Sequence, residues 1–143
     1  MFNYSKKVLK HFRNPHNLGR MRRPDGQSEV GNLACGDVMR LGVKVKENRI
    51  ADIKFETYGC AAAIATSSVI TDLVKGKTID EALKISSRKV AETLGGLPPI
   101  KIHCSLLSID ALSEAIYDYL VKEKKSIPTE LEKRHRRIVT LRR

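Results

Sequence analysis

The hydrophobic period of this chain changes once, and that change limits its fold more than any other feature. Met39, Leu41, Val43 and Val45 share one parity, with Arg40, Lys44 and Lys46 on the other. After the turn Glu47-Asn48-Arg49, Ile53, Phe55 and Thr57 fall on one side and Lys54 and Glu56 on the other. A period of two marks a half-buried strand, and two such runs joined by a polar turn predict an antiparallel hairpin. Ser28 to Leu33 adds a third strand on its edge. Beyond Tyr58-Gly59-Cys60 the period becomes helical: Ala62, Ala65, Val69 and Leu73 form one stripe over residues 61–75, and Gly76 stands where a helix ends.

The rest of the chain follows the helical period. Thr78-Ile79-Asp80-Glu81 is a capping box for a short helix. Another helix runs near 86–94 and stops at Gly95-Gly96. Leu97-Pro98-Pro99 reads as extended, because a helix interior rejects proline. A long helix over 105–123 places Leu106, Ile109, Leu112, Ile116 and Leu120 inward. Ahead of the strands, Tyr4, Val8 and Phe12, with Leu9 beside them, predict a short amphipathic helix that Asn14-Pro15 stops, and residues 14–27 read as loop. Strands first and helices later predict an α+β fold, a small antiparallel sheet of about three strands with helices packed on one face.

A chain of 143 residues is one domain's worth, large enough to bury a core without disulfides. The longest unbroken apolar run, Cys60 to Ala65, is far below the ~20 residues of a membrane span. No hydrophobic leader opens the sequence, and three cysteines do not make a disulfide framework, so a reducing, cytoplasmic setting is expected. The net charge of +11 is unevenly spread. Residues 1–24 carry seven basic side chains and no acid, residues 122–143 carry nine basic and three acidic, and residues 25–121 sum to −2. The excess belongs to the ends. Only seven aromatics occur, none on a basic strand, so a base-stacking nucleic-acid surface is disfavoured. His11, His16 and His135 read as solvated.

The three cysteines hold the chemistry. Cys35 lies just before the first strong strand, Cys60 at the strand-to-helix joint, and Cys104 follows His103 at the opening of the last long helix. Core cysteines more often sit mid-element on an apolar stripe. A thiol at a helix N-terminus has its thiolate favoured by unpaired amides, which makes it a nucleophile or metal ligand. Three unrelated buried thiols are the plain alternative, but three at loop edges argue for one site. No Cys-x-x-Cys pair exists. Cys35, Cys60 and Cys104 with Asp37 or His103 suit tetrahedral zinc, which bare chemistry slightly favours, or an iron–sulfur cluster with one ligand that is not sulfur.

These same segments resemble the IscU-type iron–sulfur cluster assembly scaffolds, which also form the N-terminal domain of NifU. Tyr4-Ser5-Lys6-Lys7-Val8 with His11-Phe12-Arg13-Asn14-Pro15 is similar to the family's opening helix. Gly31-Asn32-Leu33-Ala34-Cys35-Gly36-Asp37, Tyr58-Gly59-Cys60-Ala61-Ala62-Ala63-Ile64-Ala65, and Leu97-Pro98-Pro99-Ile100-Lys101-Ile102-His103-Cys104 resemble its three ligand segments in order. The resemblance spans roughly residues 3–123. It implies a scaffold domain over residues 1–124, with residues 125–143 as a basic C-terminal extension whose Ser126-Ile127-Pro128 starts a short helix or a solvated tail.

By that resemblance the protein is a scaffold rather than an enzyme. It receives persulfide sulfur from a cysteine desulfurase, binds iron, builds a transient [2Fe-2S] cluster and passes it to recipient apoproteins. The implied ligands are Cys35, Asp37, Cys60, His103 and Cys104, with Cys104 the main sulfur acceptor and the choice between Asp37 and His103 left open. Zinc is a candidate for the cluster-free form. Leu97, Pro98, Pro99, Ile100 and Lys101 resemble the motif read by a dedicated Hsp70-type chaperone, and a homodimer is left open. Ala61-Ala62 departs from the family's usual Gly-Ser or Gly-Ala, and Ile100 from its usual Val. The short Cys60–Cys104 interval and His103 point away from the SufU-type zinc-dependent sulfurtransferases, which stay as the alternative, with a nucleic-acid-binding module behind them. Lys6, Lys7, Lys10 and Arg13, with Arg20, Arg22 and Arg23, are expected to dock the sulfur donor.

Overall fold

The structure is a computed structural model that describes residues 4–32 and 36–141. Three strands, β1 (Gly26–Asn32), β2 (Asp37–Lys46) and β3 (Arg49–Tyr58), form one antiparallel sheet in the order β1-β2-β3. Glu47 and Asn48 connect β2 to β3 with positive φ values of 53° and 62°, the geometry a two-residue hairpin turn needs to match strand twist. The register shifts once, between Lys44 and Val45. The strand expected over 28–33 is β1, which starts two residues earlier, inside the expected loop, and pairs along its length with β2; Leu33 lies outside the described residues.

The alternation read from the sequence becomes two faces. Val30, Met39, Leu41, Val43, Ile53 and Phe55 are buried on the inner face. Full burial of a side chain such as Phe55 is worth about 1.5–3 kcal/mol. Gln27, Glu29, Arg40, Lys54 and Glu56 take the outer face, beside the loop from Gly19 to Pro24. Asn17, Leu18 and Gly19 run along β3, where Phe55 donates its amide to the Asn17 carbonyl and accepts from the Gly19 amide.

The helices are α1 (Lys6–Arg13), α2 (Ala61–Val74), α3 (Ile79–Leu83), α4 (Ser87–Thr93), α5 (Ile102–Lys122) and α6 (Thr129–Leu141). Their starts obey local chemistry. Ser5 and Ser86 cap α1 and α4, and Thr78 and Glu81 form the expected capping box on α3. α2 is the central helix and is buried on nearly every side, including Ala62, Ala63, Ala65, Thr66, Ser67 and Ser68. Its small side chains let neighbours approach, and its hydroxyls are satisfied internally: Ser67 donates to the Ala63 carbonyl and Thr71 to the Ser68 carbonyl. α5 lies against β1, where a Cβ on Gly26 would meet the Ala115 carbonyl at 2.2 Å. Ser28 donates to the Ala111 carbonyl at the same contact.

Three expectations change. α5 begins at Ile102, three residues early, and a 3₁₀ turn over Pro99–Lys101 runs straight into it. Pro99 is therefore not extended, because a first helical position loses nothing by lacking an N–H. Leu106 is 47% exposed and Leu107 is buried instead, since the arc of α5 that meets the sheet is centred on Leu107, Ala111 and Ala115. Phe12, on the expected inner stripe of α1, is 42% exposed: it lies in the last turn of the short helix, which buries only Val8. Of the two readings of the segment after Lys124, the structure takes the helical one. That segment forms α6, whose Leu131 and Ile138 join the main core. Arg134 bonds the Ser113 hydroxyl and Arg137 the Asp110 carboxylate.

Candidate functional site

The joint of β3 and α2, the start of β2, and the start of α5 meet at one end of the sheet. Cys60 is the N-cap of α2, with extended backbone (φ −77°, ψ 177°). Cys104 sits in the first turn of α5 and is 1% exposed. Asp37 opens β2 and is 5% exposed. The two sulfurs are 3.9 Å apart, although 44 residues separate them. The Cys104 sulfur lies 3.7 Å from Asp37 Oδ2 and 3.6 Å from His103 Nε2, and those two atoms are 3.9 Å from each other. Tetrahedral ligation with metal–sulfur bonds of ~2.3 Å puts sulfurs ~3.8 Å apart. The Cys60–Cys104 pair has that spacing, and Cys60, Asp37 and His103 all converge on the Cys104 sulfur. Asp37, His103 and Cys104 each offer a ligand atom within 4.8 Å of the others. Cys35 lies outside the described residues.

Gly59 makes this convergence possible. A Cβ there would sit 2.7 Å from the Ala63 Cβ and 2.8 Å from Asp37 Oδ1. The sequence marks Gly59 as a tight turn, and its function is to let the Asp37 carboxylate approach the backbone before Cys60. Behind the thiols, Ala62, Ala63 and Cys104 form a small apolar cluster, with Tyr4 and Leu97 packed on it. Thr66 donates to the carbonyls of Ala63 and Cys104 and ties α2 to the start of α5.

The electrostatics differ from what helix position alone predicts. Burial pushes the Cys104 thiol well above its ordinary value, helped by Cys60 and Asp37 and opposed by Lys101. The expected lowering by the helix N-terminus does not survive, because desolvation of a thiolate at a near-sealed position outweighs a dipole already advanced by the 3₁₀ turn. Burial thus favours the protonated thiol at Cys104, and nearby positive charge, from a side chain or a bound cation, favours loss of its proton. Lys101 supplies part of that charge. Burial works against its ammonium, but the hydrogen-bonded Cys60 sulfur and the nearby Tyr4 raise its pKa. Tyr4 is itself raised, by burial and then by Cys60.

Each expected site residue within the described part of the chain is therefore placed. Asp37, Cys60, His103 and Cys104 come together. Of the expected partner-binding stretch, Ile100 is 66% exposed and Pro99 is exposed, whereas Leu97 faces the thiol cluster and Lys101 faces Cys60. Sequence reasoning missed Tyr4 and the inward charge of Lys101, because one was absorbed into a helix stripe and the other into a surface motif. The three other histidines are not simply solvated. His135 Nδ1 lies 2.7 Å from Glu114 Oε2 with its ring stacked 3.7 Å from Tyr117, His11 Nδ1 lies 2.7 Å from Ser68 Oγ, and His16 Nδ1 lies 2.6 Å from Asp72 Oδ2.

The sequence model of the NifU-like N terminal domain matches residues 3–126. The chain belongs to this family. Among NifU-like relatives, the iron-sulfur cluster assembly scaffold protein IscU 1 of Archaeoglobus fulgidus is 60% identical over 122 residues, covering 85% of this chain and 80% of that protein. The iron-sulfur cluster assembly scaffold protein IscU of Haemophilus influenzae is 51% identical over 124 residues, covering 84% and 98%. The NifU-like protein (N-terminal) of Brucella abortus shares the fold, with a TM-score of 0.67 at 24% identity over 85% of this chain and 95% of that one. The NifU-like match ends at residue 126, before α6 begins at Thr129. Among the described residues, no helix is long and apolar enough to cross a membrane.

Proposed function

We propose that this protein is a scaffold on which an iron–sulfur cluster is assembled and from which it is handed on. The observation that carries this reading is the convergence of Cys60, Cys104, Asp37 and His103 within 3.6–3.9 Å contacts in a chain of this family. A mixed ligand set favours transit. Thiolate is the preferred partner of iron in such clusters, and one oxygen or nitrogen ligand makes the product easier to release. Cys35 completes the thiolate set.

Sulfur arrives as a persulfide. The Cys104 thiolate attacks the outer sulfur of a desulfurase persulfide, the donor S–S bond breaks, and the desulfurase leaves as a thiolate while a new S–S bond forms on Cys104. Reduction to sulfide then takes two electrons per sulfur, from ferrous iron and an external reductant. Iron and sulfide combine as [2Fe-2S], and an apoprotein removes it. Since Cys104 is 1% exposed, in a cluster on which Tyr4 and Leu97 pack, loading and release both need this end of the fold to open. A chaperone of the Hsp70 type that takes residues 97–101 would draw Leu97 off that cluster.

Anaerobic reconstitution with iron, cysteine and a desulfurase tests the reading. A visible chromophore that needs Cys35, Cys60 and Cys104 and transfers to an acceptor apoprotein is the expected result. Zinc retained on the thiolates with no chromophore would support a zinc-dependent sulfur acceptor instead. Replacing Asp37 by Cys should slow transfer. Unchanged transfer would make Asp37 structural and assign the fourth ligand to His103.

A further inference from the structure

A second cluster of ligand-type side chains lies at the other end of α2. His11 is on α1, His16 in the loop after it, and Asp72 in the last turn of α2. One ligand atom from each of the three lies within 4.8 Å of the other two. His16 Nδ1 is 2.6 Å from Asp72 Oδ2, and the two imidazole centroids are 4.9 Å apart. Asp72 is twelve residues beyond Cys60 on the same helix, which at about 1.5 Å per residue separates the two clusters by about 18 Å.

We propose that His11, His16 and Asp72 form a binding site for a borderline divalent cation, Zn²⁺ by preference. Two imidazoles and a carboxylate with one water complete a tetrahedron and leave no thiolate to select iron.

The surroundings are organised for ligation. Ser68 holds both histidines: its hydroxyl oxygen lies 2.7 Å from His11 Nδ1 and accepts the His16 backbone N–H at 2.8 Å. The His11 ring, anchored through Nδ1, presents Nε2 as its ligand, which is how ligating imidazoles are commonly oriented, while Ser68 holds His16 by its backbone and leaves that ring facing Asp72. Ser68 is fully buried, so the anchor is fixed by the packing of α2. Next to it, Asn17 donates to the Thr71 hydroxyl and pins the same loop. The His16 and Asp72 side chains are 43% and 42% exposed, so a cation and its water have access from solvent. Burial and the neighbouring His16 hold the His11 pKa below its ordinary value, which favours the neutral form that binds metal. The charge of Lys10 opposes a cation there and that of Asp72 favours it. A bound ion would fasten α1 and its loop to α2, independently of the thiols.

The test uses the full chain with Cys35, Cys60 and Cys104 all replaced by Ser and Co²⁺ as the probe. We expect uptake of one Co²⁺ per chain with visible d–d absorption and no sulfur-to-metal charge-transfer band, displaced by Zn²⁺. His16→Ala and Asp72→Ala in the same background should each weaken uptake at least about tenfold. No uptake, or uptake that both variants leave unchanged, overturns the proposal and reduces the pair to a simple His16–Asp72 ion contact. Should the Ser variant fail to fold, the wild-type protein carrying one equivalent of Zn²⁺ on its thiols is titrated with Ni²⁺. Paramagnetic broadening of the His11 and His16 ring signals with His103 spared supports the site, and broadening that spares His11 and His16 overturns it.

Discussion

At the residue scale, the most consequential position is Cys104, whose proton is held by burial rather than released by its helix. The sign of the pH effect follows. A thiol whose folded pKa is raised stabilises the fold below its unfolded value and loses that contribution as pH climbs toward the folded one. Metal-free protein should therefore lose stability from about pH 8.5 upward, at a slope approaching about 1.4 kcal/mol per pH unit for one proton. Denaturant titrations at several pH values check this, and Cys104→Ser should flatten the slope. Equal slopes would mean that the thiol ionises as readily folded as unfolded. Gly59 is the second such position. Gly59→Ala forces a Cβ against Ala63 and Asp37, and repacking there should cost about 1–3 kcal/mol. The same change should weaken Zn²⁺ binding, read by competition with a chromophoric chelator, because Asp37 must retreat from Cys104.

At the scale of elements, α6 shows how a stretch of high charge still becomes part of the core. Its sequence is mostly charged, yet Leu131 and Ile138 lie seven apart and so share one face, which packs on α5. Around them, His135 meets the buried Glu114, while Arg137 and Arg134 reach Asp110 and Ser113. The apolar anchors should dominate. Leu131→Ala is expected to destabilise the protein by about 2–5 kcal/mol, whereas Arg136→Ala, which removes an exposed pair with Glu132, should cost less than about 1 kcal/mol. Thermal melts of the two variants decide. Comparable small losses would show that α6 docks only loosely.

For the whole molecule, the basic excess of the N-terminal end lies beside the thiol site. Lys6, Lys7 and Lys10 are exposed on α1, while Tyr4 and Ser5 just before that helix reach the thiol cluster and the Leu94 carbonyl. A basic face beside the site suits electrostatic steering of an acidic donor surface, which raises association rates more than final affinity. Reversing Lys6, Lys7 and Lys10 to Glu should lower the association rate with a desulfurase and weaken its salt dependence, with thiol metal affinity retained. Stopped-flow mixing at low and high salt is the measurement, and an unchanged low-salt rate would leave the face merely solvating. The sequence by itself determined the hairpin and the order of the helices, because period two, period 3.6, caps such as Thr78 and Glu81, and the Glu47-Asn48 turn are all local. It also marked Cys60 and Cys104 as sitting at element ends. Only the tertiary structure decided that their sulfurs lie 3.9 Å apart, that Phe12 and Leu106 face outward, that Lys101 turns toward Cys60, and that residues 129–141 join the core. The reason is physical. A pattern tells which face of an element is apolar, but cover, desolvation and ligand distance come from segments dozens of residues apart, and they exist only once those segments have packed.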